Sequence, residues 1–304
     1  MVKKLGILYN ILLKNYGVED MKIFAAAIAA ACSLFLAADE VFPEAFQRIG
    51  RMKNAAEAEK AYAELAQSAR KPVQRDAAFH AAAQKAAKAK NYENCERYIA
   101  SISDSDLRSF AAMEMRFGRR QFKQLVEESK DFKLEQWRED LIPEAAYMRA
   151  YCYAWMKKRD EALKDITLAH TSAAAPAAKY RMIQKLSNIY ESFIPDNAAE
   201  LALLQLAIPY TQSPTVEYFY RQRVVCRYAY LLGKTGKAGE GIEFLLAYRG
   251  DKAASRVFKV KQTLGDLYAM KGDKEKAMKY YQEAKKIYPP WAKAVDRSIK
   301  ALQQ

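Results

Sequence analysis

The chain of 304 residues is 51% hydrophobic, holds only 11 glycines and 9 prolines, and carries a formal net charge of +14. That apolar share excludes a disordered protein, and so few turn formers exclude an all-β fold of this length. The basic balance directs attention to anionic partners.

The first predicted element is a targeting segment. Met21-Lys22 is followed by the uncharged apolar run Ile23–Ala38 and then by the acidic pair Asp39-Glu40. A basic start, an apolar run and small residues before a polar boundary describe a secretory signal peptide over residues 21–38. The run is 16 residues long, against the roughly 20 that a spanning helix needs. Cleavage is expected after Ala38, or one or two positions away because Leu36 is large for the third place before the cut. Residues 1–20 carry their own lysines and Glu19-Asp20, which fits poorly ahead of a signal. They read as an extended or mis-called N-terminus, with Met21 as the start. Cys32 raises a lipid anchor as the alternative, although Ala29 stands where such signals usually place a larger aliphatic residue. The expected location is exported, periplasmic or extracellular.

From residue 39 to the end, helical periodicity runs without a linker rich in Gly, Ser or Pro. Asp76 to Phe117 contains neither glycine nor proline. A recurring frame places small residues on two successive helices, so that they can approach closely. It begins with Ala45-Phe46-x-x-Ile49 and Ala58-x-x-x-Tyr62-x-x-Leu65. Next come Ala82-Ala83, Asn91-Tyr92 and Cys95-x-x-x-Ile99. A degenerate copy spans Ser105–Phe132, with Gly118 expected at its turn. The stretch 134–143 is the expected irregular joint between two lobes. Arg149-Ala150-x-x-Tyr153 with Ala162-x-x-x-Ile166-x-x-Ala169 follows, then Leu186-Ser187-x-x-Tyr190 with Ala199-x-x-x-Leu203. The sixth copy is Tyr228-Ala229-x-x-Leu232, Gly236 and Gly241-x-x-x-Leu245. The sharpest is the last: Leu264-Gly265-x-x-Tyr268, Gly272, Ala277-x-x-x-Tyr281-x-x-Ala284 and Pro289. Residues 291–304 then put Trp291, Val295, Ile299 and Leu302 on one face, as suits a helix that caps the array.

The block from Val257 to Pro289 resembles a tetratricopeptide repeat, with seven positions agreeing at fixed spacing and Lys261 replacing the early tryptophan of the motif. The other copies recur near the ~34-residue period of that family. The resemblance implies an all-α fold: a right-handed α-solenoid superhelix of about seven helix-turn-helix repeats over residues 39–304. It also implies a protein-binding scaffold in which the first helices of successive repeats line a concave groove. Carried onto that frame, the groove candidates are His80 and Gln84, then Tyr147, Tyr151 and Trp155, then Arg181, Gln184 and Asn188. Arg223, Tyr230, Lys259, Gln262 and Asp266 complete the set. The aromatics serve equally well as packing between repeats. Gln184 stands where a basic residue of the family's carboxylate clamp is expected, so that clamp is not reproduced.

No catalytic pattern is present: there is no Gly-x-Ser-x-Gly, no phosphate-cradling loop and no His-Glu-x-x-His. Glu127-Glu128 and Asp104/Asp106 are the nearest thing to an acid–base pair, and they lie among lysines on polar faces. With two histidines, His80 and His170, and scattered cysteines, no metal site is expected, and neither is any other cofactor. Cys95, Cys152 and Cys226, left after signal removal, are an odd number and sit in apolar helical settings, so no disulfide framework is expected. The basic residues are interspersed with Glu and Asp, as on a solvated helix face, so nucleic acid is not the expected partner. The expected function is recognition of a protein or peptide, favouring an acidic one, in envelope assembly or organisation. An enzyme on a helical solenoid, or binding to nucleic acid or anionic surfaces through bulk charge, is the alternative reading.

Overall fold

The computed structural model describes residues 42–212, 218–248 and 254–303, so the expected signal segment lies outside the described residues. The described residues fall into two compact units, divided between residues 115 and 116. All regular structure among the described residues is helical. The helices are α1 (42–50), α2 (Ala55–Ser68), α3 (Pro72–Lys88), α4 (Tyr92–Ala100) and α5 (Ser105–Gly118). They continue with α6 (Phe122–Ser129), α7 (Ile142–Trp155), α8 (Arg159–Ser172), α9 (Pro176–Ser192) and α10 (Asn197–Gln205). The last five are α11 (Tyr218–Lys234), α12 (Ala238–Ala247), α13 (Ala254–Met270), α14 (Lys274–Ile287) and α15 (Ala292–Gln303).

Helix starts follow local chemistry. The Asn54 side chain accepts from the Ala56 and Glu57 amides ahead of α2, and Asp273 accepts from the Lys276 amide ahead of α14. Pro72 and Pro176 occupy first-turn positions, where a missing N–H costs nothing. In the first unit, alanines let helices close on one another: Ala58, Ala66, Ala78, Ala82 and Ala86 have no exposed surface. Two buried carboxylates are fully provided for there. Glu59 accepts from Asn94 at 2.6 Å and from the Tyr98 hydroxyl at 3.3 Å. Asp76 accepts from the Ser103 hydroxyl and from the Ser103 and Asp104 amides. Burial works against its charge, but these bonds outweigh it and hold its carboxyl below the ordinary range.

In the second unit α7 packs on α8, α11 on α12 and α13 on α14, while α9 touches α7 and α11, and α11 touches α13. First helices are therefore neighbours of first helices. Glycine permits the tightest crossings. A Cβ on Gly265 of α13 would lie 2.5 Å from the Tyr281 ring of α14, and one on Gly241 of α12 would lie 2.7 Å from the Ala229 carbonyl oxygen of α11. This matches the small-residue frame of the sequence.

Five of the helix-to-helix turns share one geometry. Two residues after the first helix ends, the backbone turns left-handed at Lys90, Arg120, Lys157, Gly236 and Gly272. Each time the following amide reaches back five residues, as Asn91 N does to Ala86 O, Lys158 N to Tyr153 O and Asp273 N to Tyr268 O. This is the hydrogen bond that closes a helix end around a left-handed residue. Gly118, expected at its turn, is instead the last residue of α5, and Arg120 takes the left-handed place. The α9–α10 junction departs from the pattern and uses Asp196 as a cap for the Ala199 amide. A side chain in this conformation is strained by roughly 1–2 kcal/mol. Lys157→Gly is therefore expected to raise stability by about 0.5–1 kcal/mol, read as a higher urea midpoint at unchanged slope. An unchanged or lowered midpoint would mean that the lysine side chain repays its strain.

The stretch 130–141 is irregular apart from a short 3-10 turn at Leu134–Gln136, near where a joint was expected, but the boundary between the compact units falls at 115/116. The C-terminal helix packs as anticipated: Val295 is buried with Phe258, Ala277, Tyr281 and Ala284, and Ile299 and Leu302 lie against them. Trp291 differs. It ends the 3-10 turn Pro289–Trp291, stays 48% exposed, and rests edge-on against Phe258 and Tyr288.

Candidate functional site

Side chains three, four and seven positions apart share one face of a helix. On α11 that face carries Arg223, Cys226, Arg227 and Tyr230. On α13 it carries Lys259, Gln262, Thr263 and Asp266, and on α9 it carries Gln184, Ser187 and Glu191. These three rows line a cavity of about 680 Å³, whose wall also includes Trp291 and Ala294.

The charges in the cavity fall into committed and uncommitted groups. Glu200 of α10 is 1% exposed and accepts from the Ser187 hydroxyl at 2.6 Å and from Arg227 at 2.7 and 2.9 Å. Arg227 also approaches Glu191 at 3.5 Å. The bond to Glu200 raises the Arg227 pKa despite partial burial, so this guanidinium is fixed in the wall as a charged strut. Arg223 and Lys259 differ from it, because their hydrogen-bond partners are neutral amides. Arg223 donates to the Asn188 oxygen at 2.6 Å, and Lys259 donates to the Gln262 oxygen at 3.3 Å. Neither forms an ion pair among the described residues.

Farther along α13 lies Asp266, whose carboxylate accepts from the Tyr281 hydroxyl at 2.7 Å. Burial holds its carboxyl above the ordinary range, against the opposing pull of the Tyr281 bond and of Lys259 and Lys234. Burial also pushes the Cys226 thiol up to about 12, so it stays protonated and unreactive at neutral pH.

Of the residues expected from the sequence, Gln184, Arg223, Tyr230, Lys259, Gln262 and Asp266 line this cavity, and Asn188 joins it through Arg223. Arg181 is exposed and does not line it. Tyr147, Tyr151 and Trp155 lie elsewhere, in an aromatic cluster. Tyr151 meets Phe117, Phe122 and Phe193 at ring separations of 5.2, 5.5 and 5.1 Å, and Trp155 meets Phe122 at 5.3 Å. Tyr147 is packed there beside Phe117 and Tyr151, and burial pushes its phenol up to about 12. Trp155 alone of the three is substantially exposed, at 45%. In the other unit, His80 and Gln84 both bind Glu114, His80 at 2.6 Å, beside a smaller cavity of about 260 Å³.

Sequence reasoning missed Arg227, Glu191 and Trp291. Arg227 was legible as the next turn of the Arg223 face, whereas Trp291 was assigned to the packed side of the cap. The carboxylates weighed as an acid–base pair have structural partners: Glu127 binds Lys130, Glu128 binds Arg116, and Asp104 caps the Leu107 amide.

The fold and this cavity define an all-α repeat protein whose first helices share one polar, aromatic-edged face. A family model described as Tetratricopeptide repeat matches residues 258–291, which take in most of α13, all of α14 and the turn after them. The chain thus carries a tetratricopeptide repeat at its C-terminal end, where the sequence resemblance is sharpest. Comparison with curated proteins gives no match.

Proposed function

We propose that this chain is a protein-interaction scaffold that holds an extended segment of a partner against the first helices α9, α11 and α13. One observation carries the reading. Two cations on neighbouring first helices, Arg223 and Lys259, face one cavity, and among the described residues their direct hydrogen bonds go to neutral amides. Cations placed this way favour an acidic or carboxylate-bearing ligand, and Tyr230 and Trp291 offer aromatic contact area at low entropic cost. The basic start and apolar run of residues 21–38 support a role in the cell envelope, as an assembly or organising factor. We assign the chain no catalytic step.

The test uses the exported chain as bait on an envelope fraction, followed by two variants. One changes Arg223 and Lys259 to alanine, and the other changes Lys274, Lys276 and Lys279 of α14, all exposed. Both are expected to keep their helicity. The first is expected to bind the captured partner at least tenfold more weakly, about 1.4 kcal/mol, and the second to change little. Loss confined to the α14 variant would move recognition to the second-helix face and end this assignment.

A further inference from the structure

The cavity has an electrical direction. Arg223 and Lys259 stand one repeat apart, at matching places on α11 and α13, and form its positive end. Asp266 lies seven residues beyond Lys259 on the same face, about 10 Å along the axis at 1.5 Å per residue. Its only direct hydrogen-bond partner among the described residues is the Tyr281 hydroxyl, which is neutral. Lys234 of α11 sits over the Tyr230 ring at 5.5 Å and pulls on Asp266 through space, without a direct ion pair among the described residues. Between the two ends, the single cation Arg227 meets two carboxylates, Glu191 and Glu200, and is held by both. The face therefore runs from a positive end at Arg223 and Lys259, through a middle where Arg227 is already paired, to a negative end at Asp266.

We propose that this cavity selects a bipolar partner segment, in which an acidic side chain seats between Arg223 and Lys259 and a basic side chain reaches Asp266. The spacing follows from chain geometry. A polyproline-type extended segment returns to the same face every third residue with a rise of about 3.1 Å each, so residues three apart are about 9 Å apart, close to the separation of the two ends. The selected pattern is one acidic and one basic residue with two between them. Purely acidic segments would leave Asp266 facing like charge, which makes the carboxylate a specificity determinant that discriminates among acidic ligands. This rests on the scaffold reading above and names the ligand class within it.

The experiment is calorimetric titration of the purified chain with nine-residue alanine–proline peptides, acetylated and amidated so that no terminal charge contributes. They carry Glu alone, Lys alone, Glu and Lys adjacent, or Glu and Lys three apart in either order. One three-apart peptide is expected to bind at least tenfold tighter than Glu alone, Lys alone or the adjacent pair. Asp266→Asn, which keeps an acceptor for Tyr281, is expected to erase the advantage of that peptide over Glu alone. Equal binding of the Glu-only and three-apart peptides to the unmodified chain would overturn the bipolar proposal and leave the scaffold reading standing. So would an advantage that survives in Asp266→Asn. Failure of every peptide to bind would overturn both.

Discussion

Replacing Asp165 with alanine is expected to lower the unfolding free energy by about 3–5 kcal/mol. Asp165 is 2% exposed and Arg149 is 7% exposed. They form a two-point ion pair between α7 and α8, with distances of 2.7 and 2.8 Å. Arg149 also donates to the carbonyls of Ser129 and Phe132 at 2.8 and 3.1 Å, which ties the irregular stretch after α6 to the repeat that follows. Burial works against the guanidinium charge, yet Asp165 more than compensates and raises the Arg149 pKa. Without the carboxylate, a cation stays in a site with little water and half its hydrogen bonds. Denaturant unfolding followed by helical circular dichroism measures the loss. Changing both partners, Arg149→Met with Asp165→Leu, should recover part of it, because no bare charge remains, but two carbonyls lose their donor. A loss under about 1 kcal/mol for Asp165→Ala would place the pair in the class of exposed ion pairs and overturn the account.

Glu200→Ala is expected to cost about 2–3 kcal/mol, the scale of charge-assisted hydrogen bonds, and to alter the cavity as well. Glu200 receives Ser187 from α9 and Arg227 from α11, so it joins α10 to two first helices. Its removal leaves Arg227 with the longer contact to Glu191 and its place over the Tyr230 ring, and adds a third cation to the cavity's supply. The variant is therefore expected to lose stability while binding acidic peptides more tightly than the parent. Falling stability with unchanged acidic-peptide affinity would show that Arg227 does not reach ligand.

Much of the helical layout was legible because the chain repeats a steric requirement. Gly265 opposite Tyr281, and Ala277 in the same crossing, admit little else, so small residues recur at fixed spacing and the frame can be read without any partner in view. The turn at Gly272 was legible for the same reason, since glycine adopts a left-handed backbone without strain. The equivalent turns at Lys90, Arg120 and Lys157 were not, because there the backbone geometry is imposed by the helices it joins and nothing in the residue announces it.

By itself, then, the sequence determined the helix pairs, the crossing residues and the faces on which Gln184, Arg223, Tyr230, Lys259 and Gln262 stand, since all of these follow from periods within one or two helices. Only the tertiary structure decided which of those faces meet. It put Tyr147 and Tyr151 into an aromatic cluster, left Arg181 outside the cavity and turned Arg227 into a strut held by Glu200. Among the described residues it also left Arg223 and Lys259 without a direct ion pair. Whether a charge is spent or free depends on a side chain some 27 or 36 positions away, and no local pattern encodes that distance.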